Sequence, residues 1–138
     1  MNLINLKNKK VFITGGTSGI GLSILENFYK LEADIFTIGT NVENLKTIQS
    51  NFPKIKTSNF NLENHQKIEE LLKEAKEKLG GLDIVINNAG ITKDNLAIRM
   101  SDEEWNKVIN INLTAVFLIC KHSIKLMMKQ NSGSIINI

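Results

Sequence analysis

Short apolar runs alternate with helical periods along these 138 residues, the first run ends in a glycine cluster, and no proline-rich linker divides the chain. Together these observations predict an α/β fold. Strands that alternate with helices need crossover connections, which produce a parallel sheet with helices on both faces. Because such crossovers are right-handed, we expect a doubly wound, Rossmann-type sheet that is truncated after its fifth strand.

Length and composition limit the classes of function. The length fits one domain, residues 1–138, and 42% hydrophobic against 22% charged residues predict a buried core. The net charge of +3 is too small and too evenly spread to predict nucleic-acid binding. The single cysteine, Cys120, excludes a disulfide framework and a multi-cysteine metal site, so no metal is expected.

The N-terminus and the length of the apolar runs indicate where in the cell the protein is expected. The first ten residues contain no apolar segment of the kind that a signal peptide needs. No apolar stretch approaches the roughly 18 residues of a membrane span. We therefore expect a cytoplasmic protein without membrane contact.

The first half of the chain predicts three strands and two helices. An apolar run before a glycine cluster is typical of a buried strand, and a helical stripe follows it. Pro53 cannot continue the second helix, so a weak strand is expected beyond it. In chain order the predicted elements are the strand Lys10–Thr14, the helix over 20–31, the strand Ala33–Ile38, the helix over 42–48 and the strand Lys54–Ser58.

The third helix has the clearest pattern. Its apolar residues recur at helical spacing over 68–79, and the solvent side carries the i,i+4 pairs Glu69–Lys73 and Glu74–Lys78. Gly80-Gly81 is predicted to end the helix, and the strand Leu82–Ile86 follows.

A capping box predicts the start of the last helix. Ser101 followed by Glu104 favours a helix that begins there and runs to about Gln130, before a final strand at Gly133–Ile138. The core-facing stripe of this helix is predicted to be Trp105, Val108, Ile109, Leu113, Val116 and Cys120.

The glycine-rich turn after the first strand is the first candidate site. It lies at the carboxyl end of a central strand, where open α/β sheets bind ligands. We assign Gly15 to the turn, Gly19 to close phosphate approach, and Gly21 to tight helix–strand packing. The helix N-terminus then offers free N–H groups to a pyrophosphate. The alternative is an ordinary βα turn without a ligand; the order of strand, turn and helix favours the nucleotide site.

Two motifs resemble those of one protein family. The turn reads Thr-Gly-x-x-x-Gly-x-Gly from Thr14, and Asn-Asn-Ala-Gly follows the fourth strand at 87–90, where a plain turn is the alternative. Both resemble signatures of the short-chain dehydrogenase/reductase family. The resemblance implies a bound dinucleotide, with residues 61 and 62 beside its adenine. The cofactor-binding residues that it implies are Gly15, Ser18, Gly19, Ile20, Gly21, Thr40, Asn61, Leu62, Asn88, Ala89 and Gly90.

The end of the second strand bears on the choice of cofactor. Gly39-Thr40-Asn41 contains no acidic residue, which would bind the ribose 2′-hydroxyl of NAD and repel a 2′-phosphate. This favours NADP. NAD stays open, because Ser18 occupies the position at which many NADP-using members of the family carry Arg.

Asn112 is the candidate catalytic residue. It follows Val108 by four and Ile109 by three, which predicts a position on the core side of the helix. A buried amide without partners costs about 1–3 kcal/mol, so we expect it to be hydrogen-bonded. A satisfied core Asn is one interpretation. The resemblance implies another, the family's helix asparagine, which sustains a kink and holds a water in the proton relay.

The segment 91–105 resembles the bacterial 3-oxoacyl-[acyl-carrier-protein] reductases within the family. This implies a 3-ketoacyl substrate on acyl carrier protein and a homo-oligomer in the complete form. Lys93 and Arg99 are candidates to receive an acidic carrier, with a solvated charged loop as the alternative.

The family's Ser and Tyr-x-x-x-Lys are missing from these residues. The chain has one tyrosine, Tyr29, which we interpret as structural, with Ala33 four positions later. We therefore expect the cofactor-binding half of an NADP(H)-dependent 3-oxoacyl reductase, inactive alone. The alternatives are a dinucleotide-binding pseudoenzyme fragment and a split-gene product.

Overall fold

The computed structural model describes residues 4–138 and contains every predicted strand and helix, with small shifts at their ends. A 3₁₀ turn, His65–Lys67, precedes α3, and a π-helical turn, Asn110–Thr114, joins α4 to α5. The strands are β1 (Lys10–Thr14), β2 (Asp34–Gly39), β3 (Lys56–Asn59), β4 (Ile84–Asn87) and β5 (Ser134–Asn137). The helices are α1 (Gly19–Lys30), α2 (Val42–Asn51), α3 (Ile68–Leu79), α4 (Asp102–Ile109) and α5 (Ala115–Gln130).

The five strands form one parallel sheet in the order β3-β2-β1-β4-β5. The chain builds outward from β1 to β3 and then returns to the other side of β1, so the winding direction reverses between β1 and β4. The predicted doubly wound class is confirmed. In open α/β sheets a ligand binds beyond the carboxyl ends of the strands at such a reversal, which here means beyond β1 and β4.

Helices cover both faces of the sheet. Successive side chains of a strand point to opposite faces, and along β1 Val11 and Ile13 pack in one buried cluster while Phe12 packs in another. The first cluster includes Leu25 of α1 and Ile48 of α2. The second contains the buried apolar residues of α3 and α5. Because all the strands are parallel, their carboxyl ends lie at one edge of the sheet, between the two apolar layers.

The local signals at the helix ends take effect as predicted. Ser101 and Glu104 form a complete capping box at the start of α4. Gly80 ends α3 in the left-handed region, with φ of +77°. The pairs Glu69–Lys73 and Glu74–Lys78 are formed at 3.0 and 2.6 Å.

The predicted apolar stripe of the last helix is wrong at two of its six residues, Trp105 and Leu113, whereas the other four are half-buried. Trp105 is 58% exposed and Leu113 is 61% exposed. The π-helical turn contains one residue more than an α-helical turn, so constant helical spacing that is counted into it places Leu113 on the wrong face. Trp105 precedes this turn and lies on α4, which has no buried residue. The residues of this segment that are buried are Ile111, Ala115, Ile119, Ser123 and Met127.

The same segment corrects the expectation that no apolar stretch approaches the length of a membrane span. The continuous helical stretch Asp102–Gln130 is long and apolar enough to cross a membrane by length and composition alone. A core helix of a soluble protein passes the same test, and this helix places Ile119 and Met127 in the core cluster that it shares with α3.

Candidate active site

The β1–α1 turn is shaped by two glycines in the left-handed region. Gly15 has φ of +68° and Gly19 has φ of +54°, conformations that residues with a Cβ rarely adopt. A Cβ built on Gly19 would meet no atom within 4 Å, so the space above this residue is open. Ser18 caps α1 without a side-chain hydrogen bond, which leaves the first-turn N–H groups available to an anion.

The glycine turn and the Asn-Asn-Ala-Gly run interlock across β1 and β4. The Asn88 Nδ2 donates to the main-chain oxygens of Thr14, at 3.2 Å, and Gly15, at 3.1 Å. In return, the buried Thr14 hydroxyl accepts from the N–H groups of Asn88 and Ala89. A Cβ on Gly21 would lie 2.0 Å from the Gly15 oxygen and 2.3 Å from the Asn88 Nδ2. Gly21 therefore packs against the turn and Asn88.

An open pocket of about 410 Å³ lies beyond the carboxyl ends of β1, β2, β3 and β4. Six of the predicted residues line it: Gly15, Thr40, Asn61, Leu62, Ala89 and Gly90. Ser18, Gly19, Ile20 and Gly21 instead form the start of α1, and Asn88 ties the two loops together. The pocket volume falls within the usual range for small-molecule and cofactor sites.

Sequence reasoning missed part of the pocket wall. Those residues are Thr17, Ile38, Gly39, Phe60, Glu63, Ile91, Lys107 and Ile111. Lys107 on α4 lies 4.0 Å from the Glu63 carboxylate, which brings one charge of each sign to the wall. The position of Gly39 next to Thr40 was a signal for its inclusion. No signal in the sequence pointed to Lys107, because only the packing of α4 brings this residue to the pocket.

The end of β2 brings a hydroxyl-bearing residue, Thr40, to the pocket. Thr40 lines the pocket, and the next residue, Asn41, is the N-cap of α2. The Asn41 Oδ1 accepts from the N–H of Asn44 at 3.0 Å, so this side chain is engaged in its own helix. No carboxylate follows β2 directly, as the sequence shows.

Asn112 lies in the middle of the π-helical turn, and its predicted core-facing position is wrong. The residue is exposed, because the wide turn rotates it away from the buried row. Both polar atoms of its side chain are hydrogen-bonded all the same. The Oδ1 accepts from the N–H of Ile91 at 2.9 Å, and the Nδ2 donates to the oxygen of Ile91, also at 2.9 Å. Asn112 thus fixes the segment after β4, which forms part of the pocket wall.

A second asparagine joins β4 to β5. Asn87 is buried and lies in register with Asn137, and its Nδ2 donates to the Asn137 Oδ1 at 2.8 Å. The same Nδ2 lies 3.5 Å from the Cys120 Sγ. This amide pair holds the carboxyl ends of the two strands together.

Tyr29 and His122 do not line the pocket. Tyr29 packs edge-on against Phe52 on the α1–α2 side of the sheet. His122 faces Glu69 between α5 and α3, at 3.9 Å. Over residues 4–138, no three His, Cys, Asp or Glu side chains are grouped as metal ligands would be.

A parallel sheet that reverses between β1 and β4, with a glycine turn and a pocket beyond those strands, defines a Rossmann-type α/β protein. Within that class, the family model described as short chain dehydrogenase matches residues 9–138. The chain belongs to the short-chain dehydrogenase family.

Several curated relatives are similar over nearly the whole chain. Nodulation protein G of Rhizobium sp. (strain N33) is 39% identical over 137 residues, which is 99% of this chain and 56% of that protein. The 3-oxoacyl-[acyl-carrier-protein] reductase FabG of Chlamydia pneumoniae is 36% identical over 139 residues, or 98% and 56%. FabG of Rickettsia felis is 41% identical over 137 residues, or 99% and 55%. The chain spans little more than half the length of these relatives.

Proposed function

We propose that residues 1–138 are the dinucleotide-binding part of an NADP(H)-dependent reductase that acts on 3-oxoacyl groups carried by acyl carrier protein in fatty-acid synthesis. One observation carries the proposal: the hydrogen bonds of Thr14 and Asn88 fix the glycine turn and the Asn-Asn-Ala-Gly run around one pocket. The FabG relatives support the substrate class, since their names state it.

The residues present fit a dinucleotide. The open space above Gly19 and the free first-turn N–H groups of α1 suit a pyrophosphate. The wall between β2 and β3, with Thr40, Asn61 and Leu62, suits the adenosine end. Ala89 and Gly90 leave the pocket beside β4 open to a flat ring, because they carry almost no side chain. When bound, this cofactor supplies the hydride.

NADP is favoured over NAD by the chemistry at the end of β2. A carboxylate there would hold the ribose 2′-hydroxyl and repel a 2′-phosphate. Thr40 offers a hydroxyl instead, and the Asn41 side chain is engaged in capping α2. NAD is the alternative.

In this proposal Asn112 positions part of the pocket wall. Its two hydrogen bonds to Ile91 hold the wall where the substrate side of the pocket begins. These 138 residues contain no Tyr and Lys four apart. We therefore propose that these residues bind the cofactor but do not turn over substrate alone. We also propose that the complete enzyme is cytoplasmic.

Association with further chains is part of the proposal. Phe117, Ile124 and Met128 of α5 are exposed, together with Leu113 of the π-helical turn. Their spacing of four and seven residues places them along one side of the helix. In the homo-oligomer that we propose, a second copy of the chain covers this stripe. Lys93 and Arg99 remain the candidates to contact the acidic acyl carrier protein. Phe117→Glu is expected to shift sedimentation toward the monomer; an unchanged sedimentation coefficient would contradict this interface.

Calorimetric titration with NADPH and NADH tests the proposal. We expect one saturable site per chain, tighter for NADPH, and no oxidation of NADPH in the presence of a 3-oxoacyl thioester. Adding a fragment that supplies the missing Ser and Tyr-x-x-x-Lys is expected to restore turnover. Binding without restored turnover favours a pseudoenzyme fragment, and the absence of binding favours an inactive split-gene product.

A further inference from the structure

His65 lies at the junction between the β3–α3 loop and the last helix. It opens the 3₁₀ turn before α3, and its imidazole is half-buried. The His65 Nε2 lies 2.9 Å from the main-chain oxygen of Asn110, a residue 45 positions away. A carbonyl oxygen only accepts hydrogen bonds, so the Nε2 carries the proton of this bond.

The carbonyl that His65 contacts belongs to the first residue of the π-helical turn. This oxygen also accepts from the N–H of Ala115, five residues later. In an α-helix it would accept from Thr114, and the carbonyl would point along the helix axis. The bond from His65 gives this carbonyl a second donor from outside the helix. Carbonyls that bond outside their helix tilt away from its axis and lengthen the helical hydrogen bond, which favours the wider turn over the α-helical one.

The wide turn matters because it carries Asn112. Both polar atoms of that side chain are bonded to the main chain of Ile91, which lines the pocket. On the opposite side, residues 61–63 line the pocket directly before His65. A continuous path of contacts therefore runs from one wall through His65 and Asn112 to the other.

We propose that His65 is a positioning residue of the cofactor pocket. By holding the π-helical turn, it sets Asn112 and through it the Ile91 wall. The inference rests on the proposed dinucleotide site and deepens it. The Glu63–Lys107 pair joins the same loop to α4, but at 4.0 Å and partly exposed, it holds the geometry less tightly than the His65 bond does.

Amide hydrogen exchange of the ligand-free chain tests this directly. In His65→Ala, the Ile91 N–H is expected to exchange roughly 2- to 30-fold faster, and the NADPH dissociation constant to rise by a similar factor. His65→Gln keeps an N–H donor and is expected to restore both values. His122→Ala is the matched control: it removes the chain's other imidazole, which faces Glu69 outside the pocket, and is expected to leave both unchanged.

The outcomes separate this inference from the proposed function. If His65→Ala leaves Ile91 exchange unchanged, or if His65→Gln behaves like His65→Ala, the positioning role is overturned. If the wild-type chain binds no dinucleotide, the proposed function fails. Faster Ile91 exchange in His65→Ala then still supports the link from His65 to Asn112. Should His65→Ala fail to fold, wild-type exchange in His65→Gln supports the role, and faster exchange there contradicts it.

Discussion

Replacing Gly19 with alanine separates binding from folding, because this residue has open space around it and a strained backbone. A Cβ there meets nothing within 4 Å, and φ is +54°. Gly80 shares both properties, with open space and φ of +77°, but it ends α3, whereas Gly19 begins α1 beside the glycine turn. Gly80→Ala is therefore a control for the backbone cost alone.

The cost to stability is expected to be similar in the two variants. An L-residue in the left-handed region costs about 1–2 kcal/mol. The reduced freedom of the unfolded chain returns about 0.4–1 kcal/mol. Each variant should thus lose at most about 1.5 kcal/mol of unfolding free energy, measured by urea denaturation.

Affinity is expected to distinguish the two variants. In Gly19→Ala the added methyl group fills the space that a phosphate needs, so NADPH should bind at least about tenfold more weakly, or about 1.4 kcal/mol. Gly80→Ala should bind as the wild type does. Equal affinities for NADPH in calorimetry, with both variants folded, would refute the assignment of Gly19 to phosphate approach.

Three further substitutions test other parts of the account. Thr40→Asp places a carboxylate at the end of β2 and should weaken NADPH binding at least about tenfold relative to NADH. Equal losses of affinity for NADPH and NADH in parallel titrations would contradict the assignment of Thr40 to the 2′-phosphate side of the pocket. Gly21→Ala places a Cβ 2.0 Å from the Gly15 oxygen and should lower the unfolding free energy by more than about 2 kcal/mol, whereas a wild-type melting temperature would argue against the interlock. The pKa of Glu104 is lowered, chiefly by its hydrogen bond from the Ser101 backbone. Its stabilisation is therefore present above the ordinary pKa of 4.5 and lost as pH falls through the lowered value, so Glu104→Ala should destabilise more at pH 7 than at acidic pH in denaturant titrations, and an equal loss at both would contradict the pKa direction.

Elements governed by local rules were predictable from the sequence. The helix α3 has its apolar residues at helical spacing and a glycine at its end, and its observed bounds, Ile68–Leu79, agree with the predicted range. The capping box at Ser101 likewise involves residues only three positions apart. Such signals need no knowledge of the tertiary structure, since every partner is on the same element.

The last helix shows where local rules fail. Its start was predictable, but Leu113 is exposed because the π-helical turn shifts the periodicity between α4 and α5. The contact that favours this turn comes from His65, 45 residues earlier. A periodicity argument cannot include a partner so distant in sequence.

The candidate site was predictable where motifs adjoin the strands. Gly15, Ala89 and Gly90 follow β1 and β4 directly, and they line the pocket. Phe60 and Lys107 also line it, but they lie on the segment after β3 and on α4. Their places depend on how those elements pack, which no spacing in the sequence encodes.

Titration of the isotope-labelled chain with NADPH, followed by amide NMR, tests the central claim most directly. We expect saturable binding of one molecule per chain, with the largest shifts at the amide resonances of Gly15, Thr40 and Ala89. The amide resonances of Glu69 and His122, which face each other between α3 and α5, should not shift. An absence of saturable binding, or shifts confined to residues outside the pocket, would contradict the account.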